Sequence, residues 1–305
     1  MKPSNGRRNS QRPTGTSPTR KIGSGEMTEN AATEMAVEGV EANLNYAVDT
    51  GEKLVNQTMH AGDMSRVLTG TYEHHNMLIR NGRPDRDQFV LDVNGFEFVD
   101  HPTGVADFFD PEELASVYYP EIQKLVAERS GAIRVEIFDH TLRSGDAGTR
   151  KEKLVREPVK SAHNDYTEVS GPRRVRELFP DEADELLKHR FSIIQVWRAI
   201  RNPIQADPLT ICDSRSVSTD DFLTAERRYP HRVGETYRMA FNPGHEWYYF
   251  PQMRRDEALV FKVFDSDTTI SGRFTPHTSF TDPTSPPDAP ARESIEMRAL
   301  AFFDD

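Results

Sequence analysis

The sequence is nearly without cysteine. Cys212 stands alone among 305 residues, which excludes an intramolecular disulfide and any multi-cysteine metal site and suits a reducing compartment. Its ordinary role is that of a small buried hydrophobe. Long apolar runs are also missing: the stretch from Phe191 to Ile200 is broken by Ser192, Gln195 and Arg198, far short of the roughly 20 residues that span a bilayer. Basic charge is in deficit. A formal net charge of −11 argues against nucleic acid as a general partner, because phosphate binding needs a basic face. Acids, in turn, are absent before Glu26, where Lys2, Arg7, Arg8, Arg12, Arg20 and Lys21 stand among Ser, Thr, Pro, Gly and Asn. That segment has neither an apolar h-region nor an amphipathic face, so residues 1–40 read as a disordered basic tail rather than a transit peptide.

What is present is ordinary globular composition, 36% hydrophobic and 29% charged. It predicts one soluble, cytoplasmic domain over 41–305 that acts on a small molecule, with no nucleic-acid or membrane partner and with a homodimer left open. Asn94 to Val99 alternates like a short strand, and Asp110-Pro111-Glu112-Glu113 reads as a helix cap with proline and acids in the first turn. The helix it opens carries Leu114, Val117, Tyr118, Ile122, Leu125 and Val126 and stops before Gly131, with Pro120 expected to kink or divide it. Beyond it the pattern predicts strands near 132–143, 161–168, 191–200, 236–242, 257–265, 273–280 and 293–303. A second helical stretch carries Val175, Leu178, Phe179, Leu186 and Leu187. Many strands with few helices predict a mainly β fold with flanking helices, a barrel or sandwich, preceded by a helical extension.

Three short motifs carry chemistry. In Ala162-His163-Asn164-Asp165-Tyr166-Thr167, strand alternation puts His163 and Asp165 on one face, offering a nitrogen and a carboxylate oxygen to one metal. Alone, such a pair more often lies on a surface. In Arg273-Phe274-Thr275-Pro276-His277-Thr278-Ser279-Phe280, His277 supplies a third ligand from a late strand. Two histidines and one carboxylate leave open coordination positions, the facial arrangement of non-haem iron(II) oxygenases. In the last motif, Arg292, Ser294, Glu296 and Arg298 share one face of the final strand. A guanidinium with a nearby hydroxyl can clamp the far carboxylate of 2-oxoglutarate. Arg292 is preferred over Arg298 for its distance to His277. Histidine 277 follows Asp165 by 112 positions and Arg292 follows His277 by 15, the layout of a double-stranded β-helix (jelly-roll, cupin-like) oxygenase core.

At these residues the chain resembles the hydroxylase/desaturase family related to gibberellin GA4 desaturase and the small component of cephamycin 7α-methoxylase. The likeness runs from about Gly95 to the C-terminus, through Tyr118-Tyr119-Pro120-Glu121, Val135 to Arg143, His163 to Thr167, Val196-Trp197-Arg198, Cys212-Asp213, Trp247 to Pro251, Phe264-Asp265-Ser266 and Thr275 to Thr278. It departs at Gln195 and Ala199, where relatives read Asn and Pro, and where a shorter N-terminus is expected. The resemblance implies Fe(II) held by His163, Asp165 and His277, with 2-oxoglutarate and O2 as cosubstrates. It also implies hydroxylation or desaturation of a secondary-metabolite substrate with release of succinate and CO2. No catalytic group beyond the metal ligands is expected. His140, Arg143, Trp197, Arg198 and Trp247 are candidates for the substrate pocket, although for most of them packing is an equal or better account. An auxiliary subunit of a two-protein methoxylase, or a metal-dependent hydrolase on the same barrel, are the rival readings.

Overall fold

The computed structural model describes residues 38–58, 66–229 and 232–304. The expected tail lies outside these residues except for its last three positions, of which Gly39 and Val40 already belong to a strand. Two sheets carry the fold. The smaller has the order β5-β13-β8-β15-β6, formed by Phe96–Asp100 (β5), Glu257–Asp265 (β13), Phe191–Ala199 (β8), Glu293–Phe302 (β15) and Arg134–Ser144 (β6). The larger has ten strands in the order β1-β4-β12-β9-β14-β7-β11-β10-β2-β3. These are Gly39–Ala47 (β1), Tyr72–Asn81 (β4), Trp247–Tyr249 (β12), Leu209–Cys212 (β9), His277–Ser279 (β14), His163–Asn164 (β7), Arg232–Met239 (β11), Phe222–Tyr229 (β10), Leu54–Thr58 (β2) and Arg66–Leu68 (β3).

The sheets enclose a core in which Phe96, Ile193, Trp197, Leu259 and Phe261 of the smaller meet Ile211 and Tyr248 of the larger. This is the mainly β, jelly-roll architecture that the sequence predicts. The other face of the smaller sheet is equally apolar: Ile194, Val196, Val260, Ile295, Met297 and Ala299 pack beneath Leu114, Tyr118, Ile122 and Val126 of a helix. Strands covered on both faces read as almost unbroken apolar runs. Within them an isolated polar residue stands out.

That helix, α1, starts as Pro111–Glu113 with Asp110 capping the N–H groups of Glu112 and Glu113, passes through a π turn at Leu114–Tyr118, and continues as Tyr119–Ser130. Pro120 therefore neither divides nor ends it. The wide turn, closed by Tyr119 N–H donating to Leu114 O, relieves the ring's demand for a missing donor just behind it. Gly131 ends the helix with φ 76°, a conformation glycine adopts without strain. Three short helices follow, Ala147–Lys153 (α2), Ser170–Leu178 (α3) and Ala183–Leu186 (α4), the last two at the apolar positions expected for a second helical stretch.

The helical extension expected before the barrel is a correction: the described chain opens with strands. Glycine 39 to Ala47 pairs antiparallel with Tyr72 to Arg80 along its whole length. Its burial alternates in the middle, with Ala42, Leu44 and Tyr46 buried, and the partner that fixes it lies more than twenty residues along the chain. The expected strand over 161–168 is shorter than expected, reduced to His163–Asn164.

Candidate metal centre

β7 and β14 are antiparallel neighbours, and His163 stands directly opposite His277. Their rings lie side by side with centroids 4.5 Å apart. Asp165, two positions after His163, returns to the same face, with Oδ1 3.5 Å from His163 Nε2. One ligand atom from each of the three residues lies within 4.8 Å of the others. Both histidines and the carboxylate are largely withdrawn from water.

The backbone decides which atoms remain for a metal. His163 Nδ1–H donates to Ser161 O at 2.8 Å, and His277 Nδ1–H donates to Thr275 O at 3.1 Å. Each bond reaches back two residues and fixes the tautomer, which leaves the Nε2 lone pairs free. Burial, aided by His277 and Arg238, keeps the His163 pKa well below its ordinary value, so the ring is neutral. For Asp165, burial opposes ionisation, but Arg298 above all, with the Gln195 hydrogen bond, outweighs it and holds the pKa well below the usual carboxylate range. Its Oδ2 accepts from Gln195 Nε2 at 2.7 Å and from Arg298 Nη2 at 3.1 Å. Oδ1 is the oxygen that remains. Two imidazole Nε2 atoms and one singly available carboxylate oxygen on one side are the donor set of a facial iron(II) site. The residues fit the ion.

Gly95 supports this geometry from behind. Its φ is +87°, and a Cβ there would meet Ser214 Oγ and Thr275 Oγ1 at 2.3 Å. Thr275 Oγ1–H donates to Gly95 O at 3.0 Å, and Thr275 O is the acceptor that orients His277. Gln195, marked in the sequence only as a departure from its relatives and a break in the apolar run of β8, is the residue whose amide holds Asp165.

The two arginines of β15 have different surroundings. Arg298 is committed to the metal side: besides Asp165 it pairs with Asp139 Oδ2 at 3.0 Å, with Thr141 Oγ1 at 3.0 Å and with Glu296. Burial pulls its pKa down, but Glu296, Asp165 and Asp139 overcome this and keep it charged. This corrects its candidacy as a cosubstrate clamp. Arg292 Nη1–H donates to Asp207 O at 2.7 Å and to Ser279 Oγ at 3.0 Å, and its guanidinium lies 5.4 Å from the Trp197 ring centre. Its Nε and the Ser294 hydroxyl are buried with no hydrogen-bond partner. Burial, then Arg143, pushes the Arg292 pKa down to about 9.

A cavity of about 600 Å³ opens over His163, Asp165 and Arg298. Arg143 lines it and faces inward, opposite Ser294. The other pocket candidates are rearranged by strand parity. Trp197 points into the core beneath Arg292, whereas Arg198 points the other way, over the Tyr118 ring at 5.3 Å and onto His101. His140 borders the cavity, but its ring is bonded to Tyr119 Oη at 2.8 Å on the α1 side. Trp247 is in a separate cluster with Cys212, Tyr249 and Phe280, and its Nε1–H donates to Tyr46 Oη at 2.7 Å. Cys212 shares that face, while its neighbour Ile211, opposite His277, packs in the core between the sheets. Arg198 and Trp247 are thus corrections, each engaged in packing away from the cavity, whereas His140 lines the cavity with its ring held by Tyr119.

The family model YDMC, described as an oxidoreductase/YMDC permease-like domain, matches residues 44–302. The Fe(II)/2-oxoglutarate-dependent dioxygenase nvfI of Aspergillus novofumigatus is 30% identical over 235 residues, covering 75% of this chain and 83% of the relative. The chain belongs to this family of Fe(II)/2-oxoglutarate-dependent oxygenases. Hydroxylase/desaturase efuI of Hormonema carpetanum, another member, is 30% identical over 275 residues, 80% of this chain and 91% of the relative. Among solved structures, the iron and alpha-ketoglutarate-dependent endoperoxidase NvfI superposes with a TM-score of 0.77 at 25% identity, covering 88% of this chain and 99% of the other. Among the described residues no helix is long and apolar enough to cross a membrane. The protein is an oxygenase dependent on Fe(II) and 2-oxoglutarate.

Proposed function

We propose that the chain hydroxylates or desaturates a small secondary-metabolite-type molecule in the cavity beside His163, Asp165 and His277. In this reading those three residues hold Fe(II) and Arg292, with Ser294, holds the far carboxylate of 2-oxoglutarate. The observation that carries it is the contrast on β15: every polar atom of Arg298 is directed at Asp165 and its neighbours, while Arg292 Nε and Ser294 Oγ are buried donors without partners. Such groups cost free energy unless a ligand satisfies them. Arg292 is anchored at Ser279, two positions beyond His277 on the same strand face, hence about 7 Å from the imidazole along β14. That separation suits the five-carbon chain of 2-oxoglutarate.

When bound, iron(II) with 2-oxoglutarate and O2 supplies the oxidation of a substrate C–H bond, with succinate and CO2 as co-products. The chain's own contribution is orientation. Ser161 and Thr275 carbonyls hold the imidazoles, Gln195 and Arg298 leave one Asp165 oxygen exposed to the ion, and the Trp197 ring supports the Arg292 guanidinium. The narrower placement beside GA4 desaturase and the cephamycin methoxylase component is part of this reading and is supported by the strings around Tyr119, Phe138, His163 and Trp197. A cytoplasmic location is supported by the single buried, unpaired Cys212. The test is anaerobic titration of the metal-free protein with Fe(II) and then 2-oxoglutarate, following the weak visible charge-transfer band of the chelate. Wild type gives the band, His277→Ala loses it, and Arg292→Gln needs far more 2-oxoglutarate to form it. Tight iron binding with no band in wild type would sink the reading and favour a hydrolase or auxiliary role.

A further inference from the structure

The cavity is basic although the chain is acidic. Nine arginines and lysines line it against four aspartates and glutamates, in a chain of net charge −11. Two of the arginines are placed by register. Arg238 on β11 stands directly opposite His163, on the side away from His277. Arg227 on β10 lies on the next strand, opposite Gly234 and paired with Asn56 of β2. Arg238 is 2% exposed, and the two guanidinium groups converge on the amide oxygen of Asn56, at 2.6 Å from Arg227 and 2.9 Å from Arg238 once that amide is turned to face them. The Nε atoms of both are buried without a partner. Among the described residues neither forms an ion pair: the close neighbours of Arg238 are the neutral Asn56 amide and Tyr72 hydroxyl, and Asp165 is already held by Arg298 and Gln195.

Two like charges converging in a low-dielectric pocket are unfavourable without an anion between them. Arg143 and Arg156, joined by a β-bridge, also line the cavity. The effect reaches the rim. Burial would raise the Tyr229 pKa, but Arg227, Arg232 and Arg156 outweigh it and hold the phenol below its ordinary value. The same cavity is lined by Phe138, Leu154, Tyr166 and Leu178, an apolar surface for a carbon skeleton.

We propose that the substrate of this oxygenase is an organic carboxylate whose carboxyl group is held between Arg238 and Arg227, with its apolar skeleton extending along Phe138 and Tyr166 beside the metal ligands. This rests on the oxygenase reading above and adds the substrate's charge to it. The site is distinct from the cosubstrate clamp. Across the sheet the order is Ile211, His277, His163, Arg238, so Arg238 flanks the histidine pair on one side while Arg292 reaches it from the Ser279 end. Guanidinium forks match planar carboxylates.

The test uses the full chain loaded anaerobically with Fe(II) and 2-oxoglutarate. Calorimetric titration with 1-naphthaleneacetate and with its methyl ester is run while the charge-transfer band is recorded. The acid is expected to bind about tenfold tighter than the ester or better, the gain of one charge-assisted hydrogen bond. Arg238→Gln and Arg227→Gln should each erase that preference without moving the 2-oxoglutarate concentration that half-forms the band, and Arg292→Gln should do the reverse. Arg227 is only half buried, so it keeps the test decisive if the Arg238 variant fails to fold. Equal binding of acid and ester by wild type would overturn the proposal while a normal band leaves the oxygenase reading intact. Loss of the band in Arg238→Gln or Arg227→Gln would overturn it too, by assigning the pair to the cosubstrate. A wild type that prefers the acid but gives no band would support the anion site and fail the oxygenase reading instead.

Discussion

Arg298 Nη2 lies 3.1 Å from Asp165 Oδ2, and this contact, with that of Gln195 on the same oxygen, divides the carboxylate into a bound atom and a free one. A carboxylate left to itself can bind a metal through either oxygen or both. Here the second oxygen is spent inside the barrel, which leaves Oδ1 as the one atom that aspartate could offer a metal. The same contact explains why a neighbouring arginine, and not this one, is available to a cosubstrate.

Removing Arg298 should therefore damage the metal centre. Arg298→Leu leaves Asp165 and Glu296 buried without their cation and is expected to lower stability by about 3–5 kcal/mol and Fe(II) affinity by roughly 10–100-fold. Competition against a metal-sensitive dye and urea unfolding measure both. Unchanged iron affinity would disprove the assignment.

Replacing Gly95 with alanine should act at a distance. The new Cβ would collide with Thr275 and Ser214 in a backbone conformation already costly for alanine. We expect a loss of stability of about 1–3 kcal/mol together with weaker Fe(II) binding, because Thr275 O no longer orients His277. A stability loss with full iron affinity would show that Thr275 moves independently of the ligand.

Substitution of Pro120 by alanine should matter little. The π turn already satisfies the backbone around it, so Pro120→Ala is expected to shift the urea midpoint by the equivalent of less than about 1 kcal/mol. The roughly 3 kcal/mol expected for proline in a regular helix interior is relieved here by the wide turn. Introducing proline at Gln123, past that turn, should cost the full amount.

Trp247 and Arg198 should be structural. Trp247→Phe removes the donor to Tyr46 Oη, which keeps only His245, and Arg198→Met empties the site over Tyr118. Each should lower the melting temperature, while kcat/KM measured with the loaded enzyme stays within about twofold of wild type. A tenfold fall in kcat/KM at unchanged stability would place either residue back in the pocket.

Acid should destabilise the metal-free protein below neutrality. Burial holds His101, His140 and His245 below the ordinary 6.5, so near pH 6 and below the unfolded chain takes up protons that the folded chain refuses. Stability is then present above about 6.5 and falls as pH drops through it. Urea midpoints at pH 7.5, 6.5 and 5.5 should decrease in that order, and less steeply in His245→Gln. A flat profile would mean these rings protonate in the fold.

The sequence by itself picked out His163, Asp165 and His277 as a group, and the strands that carry the core. His163-x-Asp165 is legible because side chains on a strand repeat every two residues, and β8, β13 and β15 are legible because burial on both faces leaves long apolar runs. The strands β1 to β4 and the pairing of β9 and β12 were not, since each depends on partners far along the chain, and the π turn was not, since periodicity does not show how a helix accommodates Pro120. Parity shows why the pocket was only half legible. Neighbours such as Trp197 and Arg198 must face opposite ways, but which one faces the metal depends on where α1 lies, and that is a property of the packed layers. The tertiary structure alone decided that Arg298 serves Asp165, that Arg292 keeps unsatisfied donors, and that Arg238 and Arg227 converge, because each is a question of which charges meet across separate strands.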